Sequence, residues 1–297
     1  MAKFLVTGAS GTLGRIVMQR LVERREEVRG LVRPVKLVGL REEVRRDITL
    51  MAGDYGDEAS LQKALEGIEY VITTARASLY DKPARHYALE VEGNRRLFRL
   101  AKAAGVKHLT FISLMHAEQF PQSHIFNAKH QAENILKESG LNHTIFRPGA
   151  LMSRAMLGRT LTGLSKGWFM PVEGENKPHS PMMYDDLAEF CTKAQAIPEA
   201  LNQTFEVGGP QIYQGSEWVQ DLASRYALSY KTRPQGSFLM GMMQRLVQPQ
   251  SRNANVYTQI KTLHDFSVPP KEMARLAELF GLKLHHLKEF YPAVLPG

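Results

Sequence analysis

The chain has 297 residues, 43% of them hydrophobic and 23% charged, and a single cysteine, Cys191. That is an ordinary globular composition with room for a large core; it rules out an internal disulfide and points to a reducing, cytoplasmic setting. The net charge is +8, but the basic residues fall in scattered pairs, Arg24–Arg25, Arg45–Arg46 and Arg95–Arg96, so with no aromatic-interleaved basic stripe and no apolar run of roughly 18 residues, neither nucleic acid nor a membrane span is expected.

Phe4, Leu5 and Val6 form a short β-prone run close to the first residue, which leaves no signal peptide to expect. The run leads into Gly8, Gly11 and Gly14, spaced G-x-x-G-x-x-G, and then into Leu13, Ile16, Val17 and Leu21 on one helical face. Strand, tight glycine turn and helix in that order make a phosphate site. Glycines let the backbone turn and approach a diphosphate, and the unpaired N–H groups at the helix start point at it. Gly8, Ser10, Gly11, Thr12, Leu13 and Gly14 are the expected contacts of a dinucleotide.

The helix is expected to run to about Arg25, and Val28, Leu31 and Val32 to form the second strand. A dinucleotide fold meets the adenosine ribose at this strand's end, about 20 residues after the glycines. An acidic residue there suits NAD. Here the position is Arg33, with Arg29 upstream and Lys36 beyond, and a guanidinium suits the 2′-phosphate of NADP. NADP(H) is therefore the expected cofactor.

Ile48, Leu50 and Met51 predict a third strand that closes at Gly53-Asp54-Tyr55. Asp54 is placed to accept from the adenine amino group, to cap the helix over 57–65, or both; Tyr55 beside it joins the expected contacts. Val71, Ile72 and Thr73 predict a fourth strand. It opens onto Thr74, Ala75 and Arg76, where small residues let backbone lie against the cofactor. After a loop, a helix is expected over 84–104, with Tyr87, Val91, Leu97, Phe98 and Ala101 on its apolar face and Gly105 as its stop. Leu109, Phe111 and Ile112 predict a fifth strand ending at Ser113. A helix over 126–137 follows, then a sixth strand over 144–146 that ends at Arg147-Pro148-Gly149.

This alternation predicts an α/β fold, a Rossmann-like doubly wound parallel sheet. Its ligands bind at the carboxyl ends of the strands, where Gly8, Arg33, Asp54, Thr74, Ser113 and Pro148 all fall. Residues 1–150 are expected to form an NADP-binding domain. Residues 151–297 are expected to form a smaller, mainly helical substrate or partner region, with 203–207 returning to the sheet. Within that region the pattern predicts a helix over 151–164, an extended run over 168–171, and a helix opening at Tyr184 with Asp185 or Asp186 as its N-cap. A last helix spans 270–280 and stops at Gly281. Met240, Met242 and Met243 lie beside Phe238 and Leu239, a stretch suited to core packing or to an adaptable pocket or interface. Residues 163–167 spell G-x-S-x-G, but a helical pattern precedes them and an extended one follows, the reverse of a nucleophile elbow. The ten histidines show no metal-ligand spacing, so no metal is expected.

On T-G-A-S-G-T-L-G at 7–14, V-R-G-L-V-R-P at 28–34, G-D-Y-G-D at 53–57, A-K-A-A-G-V-K-H at 101–108, K-H-Q-A-E at 129–133 and S-G-L-N-H-T-I-F-R-P-G at 139–149, the chain resembles the atypical short-chain dehydrogenase/reductases. It is similar in particular to their NmrA-like and isoflavone-reductase-like NAD(P)-binding branch. The resemblance covers the first 150 residues in order and, beyond them, D-D-L-A at 185–188. At the catalytic positions it places Lys129 on the family's Lys and Ser113 on its strand-five Ser. The family's Tyr, four residues before the Lys, is here Ile125, which carries no proton. The resemblance implies that Lys129 acts without the Tyr. The residues themselves leave two other roles for Lys129, a hydrogen bond to ribose and an ion pair with Glu133 at i+4. His116, His124 and Tyr184 are reserve proton donors.

The activity implied is an NADPH-dependent oxidoreductase that passes hydride to a conjugated acceptor such as a quinone, enone or imine. The anion formed from such an acceptor is delocalised and asks less of an acid. The rival is a non-catalytic NADP(H)-binding redox sensor, regulator or assembly factor. A sugar-nucleotide epimerase needs the missing Tyr and is disfavoured. The expected partner is accordingly a small-molecule substrate or a regulatory protein, with the chain a monomer or homodimer.

Overall fold

The computed structural model describes residues 3–33, 46–169, 177–232 and 264–292. The chain divides into two compact units, Met1–Pro148 with Tyr184–Glu206, and Gly149–Met183 with Val207–Gly297.

The first unit is built on β1 (Lys3–Thr7), β2 (Glu27–Val32), β3 (Ile48–Ala52), β4 (Tyr70–Thr73), β5 (His108–Ile112), β6 (His143–Pro148) and β7 (Gln203–Val207). They form one seven-stranded sheet in the order β7-β6-β5-β4-β1-β2-β3. The pairs from β3 through β6 are parallel, with Thr7 opposite Leu31 on one side and Thr73 on the other. The strands are apolar on both faces because helices cover both, as parallel sheets require: Leu5, Val6, Ile72, Leu109, Phe111 and Ile145 are all buried. The order reverses between β1 and β4, which puts a switch-point crevice at their carboxyl ends.

The connecting helices follow the apolar periodicity. α1 (Thr12–Glu23) buries Leu13, Val17, Met18 and Leu21. α2 (Glu58–Leu65) is capped by Asp57, whose carboxylate accepts from Ala59 N at 3.1 Å. Asp54 therefore does not cap this helix; it accepts from Gly56 N at 2.8 Å and holds the turn before it. The stretch expected as one regular helix over 84–104 is α3 (Pro83–His86), a π-helical segment (Tyr87–Gly93) and α4 (Asn94–Ala103). Gly105 ends it at φ +75°. α5 (His124–Glu138) follows β5. α6 (Tyr184–Lys193) begins at Tyr184 itself, so Asp185 and Asp186 lie in its first turn and neither is the N-cap. α6 faces α1 through Glu189, which pairs with Arg20 at 3.1 Å and Arg24 at 2.5 Å.

The second unit pairs Leu151–Met152 with Met182–Met183, Pro178–His179 with Tyr213–Gln214, and Trp168–Phe169 with Lys231–Thr232. Its helices include Arg154–Ser165, Glu217–Arg225 and Pro270–Leu279. The helix expected over 151–164 thus starts later. Leu151 and Met152 are a strand, and Ser153 caps the helix by accepting from Met156 N at 3.2 Å. Leu157, Leu161, Leu164, Val219 and Leu222 are the centre of this unit's core. Ser165 of the G-x-S-x-G run closes a helix and donates to Thr162 O at 3.0 Å. The methionines at 240–243, with Phe238 and Leu239, and residues 170–171 lie outside the described residues. Among the described residues no helix is long and apolar enough to cross a membrane.

Candidate functional site

The glycine turn after β1 works through close backbone approach. Gly8 has φ +67°, and a Cβ there would stand 2.5 Å from Ala75 N and 2.7 Å from Thr74 C. The turns after β1 and β4 are pressed together, and Thr74 donates to Thr7 O from both its N–H and its hydroxyl, at 3.1 and 2.8 Å. Gly11 N donates to Gly8 O at 2.9 Å. A Cβ on Gly14 would strike Gly8 O and lie 2.9 Å from Ala9 Cα. Gly11 is the N-cap of α1, with no side-chain cap bond and no acidic residue in the first turn. The positive end of the helix therefore meets only backbone and the small side chains of Ser10 and Thr12. That is a cradle which fits a diphosphate. Leu13 brings only its backbone to this turn, since its side chain is in the core.

Around this turn the structure sorts the remaining expected contacts. Arg33 is exposed at the end of β2. Arg29, grouped with it by sequence, is used elsewhere: it donates to Ala64 O at 2.8 Å and Glu66 O at 2.9 Å, at the carboxyl end of α2. Lys36 lies outside the described residues. Asp54 is half-buried at the end of β3. Tyr55 is buried, and its hydroxyl sits between Thr7 Oγ1 at 2.7 Å and Thr73 Oγ1 at 3.0 Å; its carbonyl takes the Arg96 guanidinium. Burial pushes the phenol well above its ordinary range. The side chain thus ties β1 to β4 through its hydroxyl. Arg76 is exposed, and Ala75 is half-buried against Gly8. Pro148 is buried and accepts from Met115 N at 3.2 Å.

At the carboxyl end of β5 lies Lys129, only 6% exposed. Its Nζ donates to Ile112 O at 2.8 Å, stands 4.8 Å over the Phe111 ring, and pairs with Glu90 Oε2 at 2.9 Å. Glu90 is on the π-helical segment, 2% exposed, and its other oxygen accepts from Ala77 N at 2.9 Å. The Lys129–Glu90 contact is an ion pair by distance, but its angle falls outside hydrogen-bond geometry. The i+4 alternative is excluded, because Glu133 is held by Arg147 in a two-pronged bond at 2.9 and 2.6 Å. Next to Ile112, Ser113 is buried, and its hydroxyl has no partner among the described residues. Ile125, at the family's Tyr position, is 4% exposed.

Of the reserve donors, His124 is drawn into this region and His116 is not. The His124 ring meets that of His86 edge-on, centroids 4.9 Å apart. Burial holds both imidazoles below their usual range. His116 has φ +59° and lies 3.6 Å from Glu206, while Tyr184 is half-buried at the start of α6. Glu90 and His86 were not singled out from sequence. The available signal was an acid set beside Tyr87 and Val91 on an otherwise apolar helical face. Among the described residues no group of three His, Cys, Asp or Glu is placed to hold a metal.

With that geometry in place, a protein-family model described as NAD(P)H-binding matches residues 8–197. The photosystem II assembly factor Ycf39 of Cyanophora paradoxa is 29% identical over 216 residues, 73% of this chain and 66% of that protein. The match therefore leaves a third of the assembly factor uncovered. Quinone oxidoreductase 2 of Escherichia coli (strain K12) is 28% identical over 225 residues, 74% of this chain and 73% of that protein. The crystal structure of the Escherichia coli NADPH-dependent quinone oxidoreductase QOR2 with NADPH shares this fold, with a TM-score of 0.72 at 21% identity, covering 96% of this chain and 97% of that one.

Proposed function

The chain belongs to the NAD(P)H-binding family whose model it matches over residues 8–197, and from that premise we propose that it is an NADPH-dependent oxidoreductase acting on a conjugated acceptor such as a quinone, enone or imine. Gly8, Ser10, Gly11, Thr12, Leu13 and Gly14 hold the diphosphate against the start of α1. Arg33 takes the 2′-phosphate and Asp54 the adenine amino group, while Thr74, Ala75, Arg76 and Pro148 line the way to the reacting end. Residues 1–150 carry the cofactor and residues 151–297 select the acceptor or partner. The bound nicotinamide supplies the hydride.

The observation that carries this reading is Lys129. A buried ammonium fixed on Ile112 O and Glu90, beside the Ser113 hydroxyl that has no partner among the described residues, is a positioned proton donor at the end of β5. Ile125 adds no second donor, which fits an acceptor whose reduced form delocalises its charge. The likeness to quinone oxidoreductase 2 supports the same acceptor class. The second reading is a non-catalytic NADP(H) sensor or assembly factor, and the buried Ile125 together with the likeness to Ycf39 favours it.

Titration of the purified protein with NADPH and NADH, followed by cofactor oxidation with quinones, enones and imines, separates the two. Tight NADPH binding with turnover is the expected result. Tight binding without turnover on any acceptor favours the sensor, and binding of neither nucleotide overturns both.

A further inference from the structure

Six of the nine buried side-chain polar atoms without a hydrogen-bond partner among the described residues fall in two stretches of the chain: His86 Nε2, Glu90 Oε2, Asn94 Oδ1, Ser113 Oγ, Ser123 Oγ and His124 Nε2. They come from the helical stretch 83–94 and from the two ends of the loop between β5 and α5. Leaving a buried polar atom unpaired opposes folding, and native chains keep such atoms where chemistry uses them. Building on the reductase reading, we propose that His86 and His124 are a proton-supply branch that reloads Lys129 after it has protonated a neutral acceptor.

The arrangement runs inward. His124 is half-exposed at the start of α5, and His86, in edge-on contact with it, is 2% exposed. Glu90 follows one helical turn after His86, and Lys129 Nζ stands 2.9 Å from Glu90. The charged groups acting on His86 are Glu90, Asp81 and Lys129. His86 Nε2 has no hydrogen-bond partner among the described residues, which makes it the ring atom open to accept a proton. Both Nε2 atoms are closed to solvent, so these rings act through Lys129 and not on the acceptor itself.

The balance is simple. Reducing a quinone to a hydroquinone consumes one hydride and one proton. The Lys129 N–H bond breaks as the acceptor O–H bond forms. None of these atoms is hydrogen-bonded to the next in the structure, so after His124 has taken a proton from solvent its ring turns to hand that proton to His86 Nε2, from which it reaches the Lys129 amine by way of Glu90 Oε2. Each group returns to its starting state, and one solvent proton is used per acceptor. An iminium cation, by contrast, becomes a neutral amine by taking hydride alone.

This contrast supplies the test. Wild type, His86→Gln and His124→Phe are compared with NADPH on a 1,4-naphthoquinone and on an N-alkyl iminium cation, in H2O and D2O, with NADPH affinity and melting temperature as checks on the fold. The expected result is a fall of at least about tenfold in the quinone-to-iminium rate ratio in each variant, as loss of a general-acid path implies, with a larger solvent deuterium effect on the quinone. A purely structural role slows both acceptors together, and an unchanged ratio in well-folded variants overturns the relay alone. Wild type that binds NADPH and reduces neither acceptor overturns the reductase reading, and the relay with it.

Discussion

Glu90 and Lys129 meet at 2.9 Å with side chains only 3% and 7% exposed, one on a π-helical segment after β4 and the other on the helix after β5. A buried pair of this kind adds little net stability over an apolar pair, yet stranding either partner is costly. Lys129→Met alone should therefore lower unfolding stability by about 3–5 kcal/mol. Lys129→Met combined with Glu90→Gln should recover much of that loss. Urea unfolding of the single and double variants checks this; a single variant as stable as wild type would show the pair to be solvated.

The glycine turn predicts two grades of alanine damage. Gly8→Ala meets both a positive φ and backbone at 2.5 Å, whereas Gly105→Ala meets φ +75° with open space around it. The Gly105 change should cost only about 1–2 kcal/mol of stability, the ordinary cost of a left-handed residue, and leave nucleotide affinity as it was. The Gly8 change should force the turns after β1 and β4 apart and abolish NADPH binding at micromolar protein. Calorimetric titration of the two variants reads the difference.

Arg33 stands exposed at the end of β2 with no ion pair to another described residue. Arg33→Asp should weaken NADPH far more than NADH, because it removes a partner of the 2′-phosphate and sets a carboxylate in its place. Parallel titrations decide it, and equal losses for both nucleotides would exclude the 2′-phosphate role.

A separate histidine predicts acid sensitivity. His108 is buried, and its Nε2 lies 2.9 Å from Thr144 Oγ1, which itself donates to Ala200 O at 2.8 Å; the His108 proton is therefore on Nε2. Burial, then the nearby His143, pushes this imidazole down to about 4. The unfolded chain takes up the same proton near pH 6.5. Between those values unfolding binds a proton, so the stability present above about pH 6.5 is lost as the pH falls towards about 4, by an amount of about 3 kcal/mol. His108→Gln keeps an N–H for Thr144 and should flatten the loss, as urea midpoints at pH 7 and pH 4.5 would record.

Much of this was legible in the residues because its causes are local. The strand, glycine turn and helix over 3–23 are fixed by short-range pattern and by the space that Gly8 and Gly14 leave. Partner choice was less legible. Glu133 sits one turn from Lys129 and looked like its natural counter-ion, but Arg147 offers Glu133 a planar fork with two bonds, which a single ammonium cannot match. Lys129 then pairs across the fold with Glu90. Nothing in regular helical spacing announces the π-helical segment at Tyr87–Gly93 that carries Glu90. Asp54 and Asp57 show the same limit at short range: both suit a cap, and only the turn at Gly56 decides that Asp57 supplies it.

The place of β7 in the sheet also governs how the protein is made. The edge beside β6 and the α1 face that receives Glu189 are both completed by residues between Tyr184 and Glu206. A growing chain that has emerged only as far as Pro148 holds an open parallel edge and an uncovered helix. The first unit therefore closes only after the ribosome has added more than fifty further residues, and a chaperone that guards exposed strand edges would find its target in that interval.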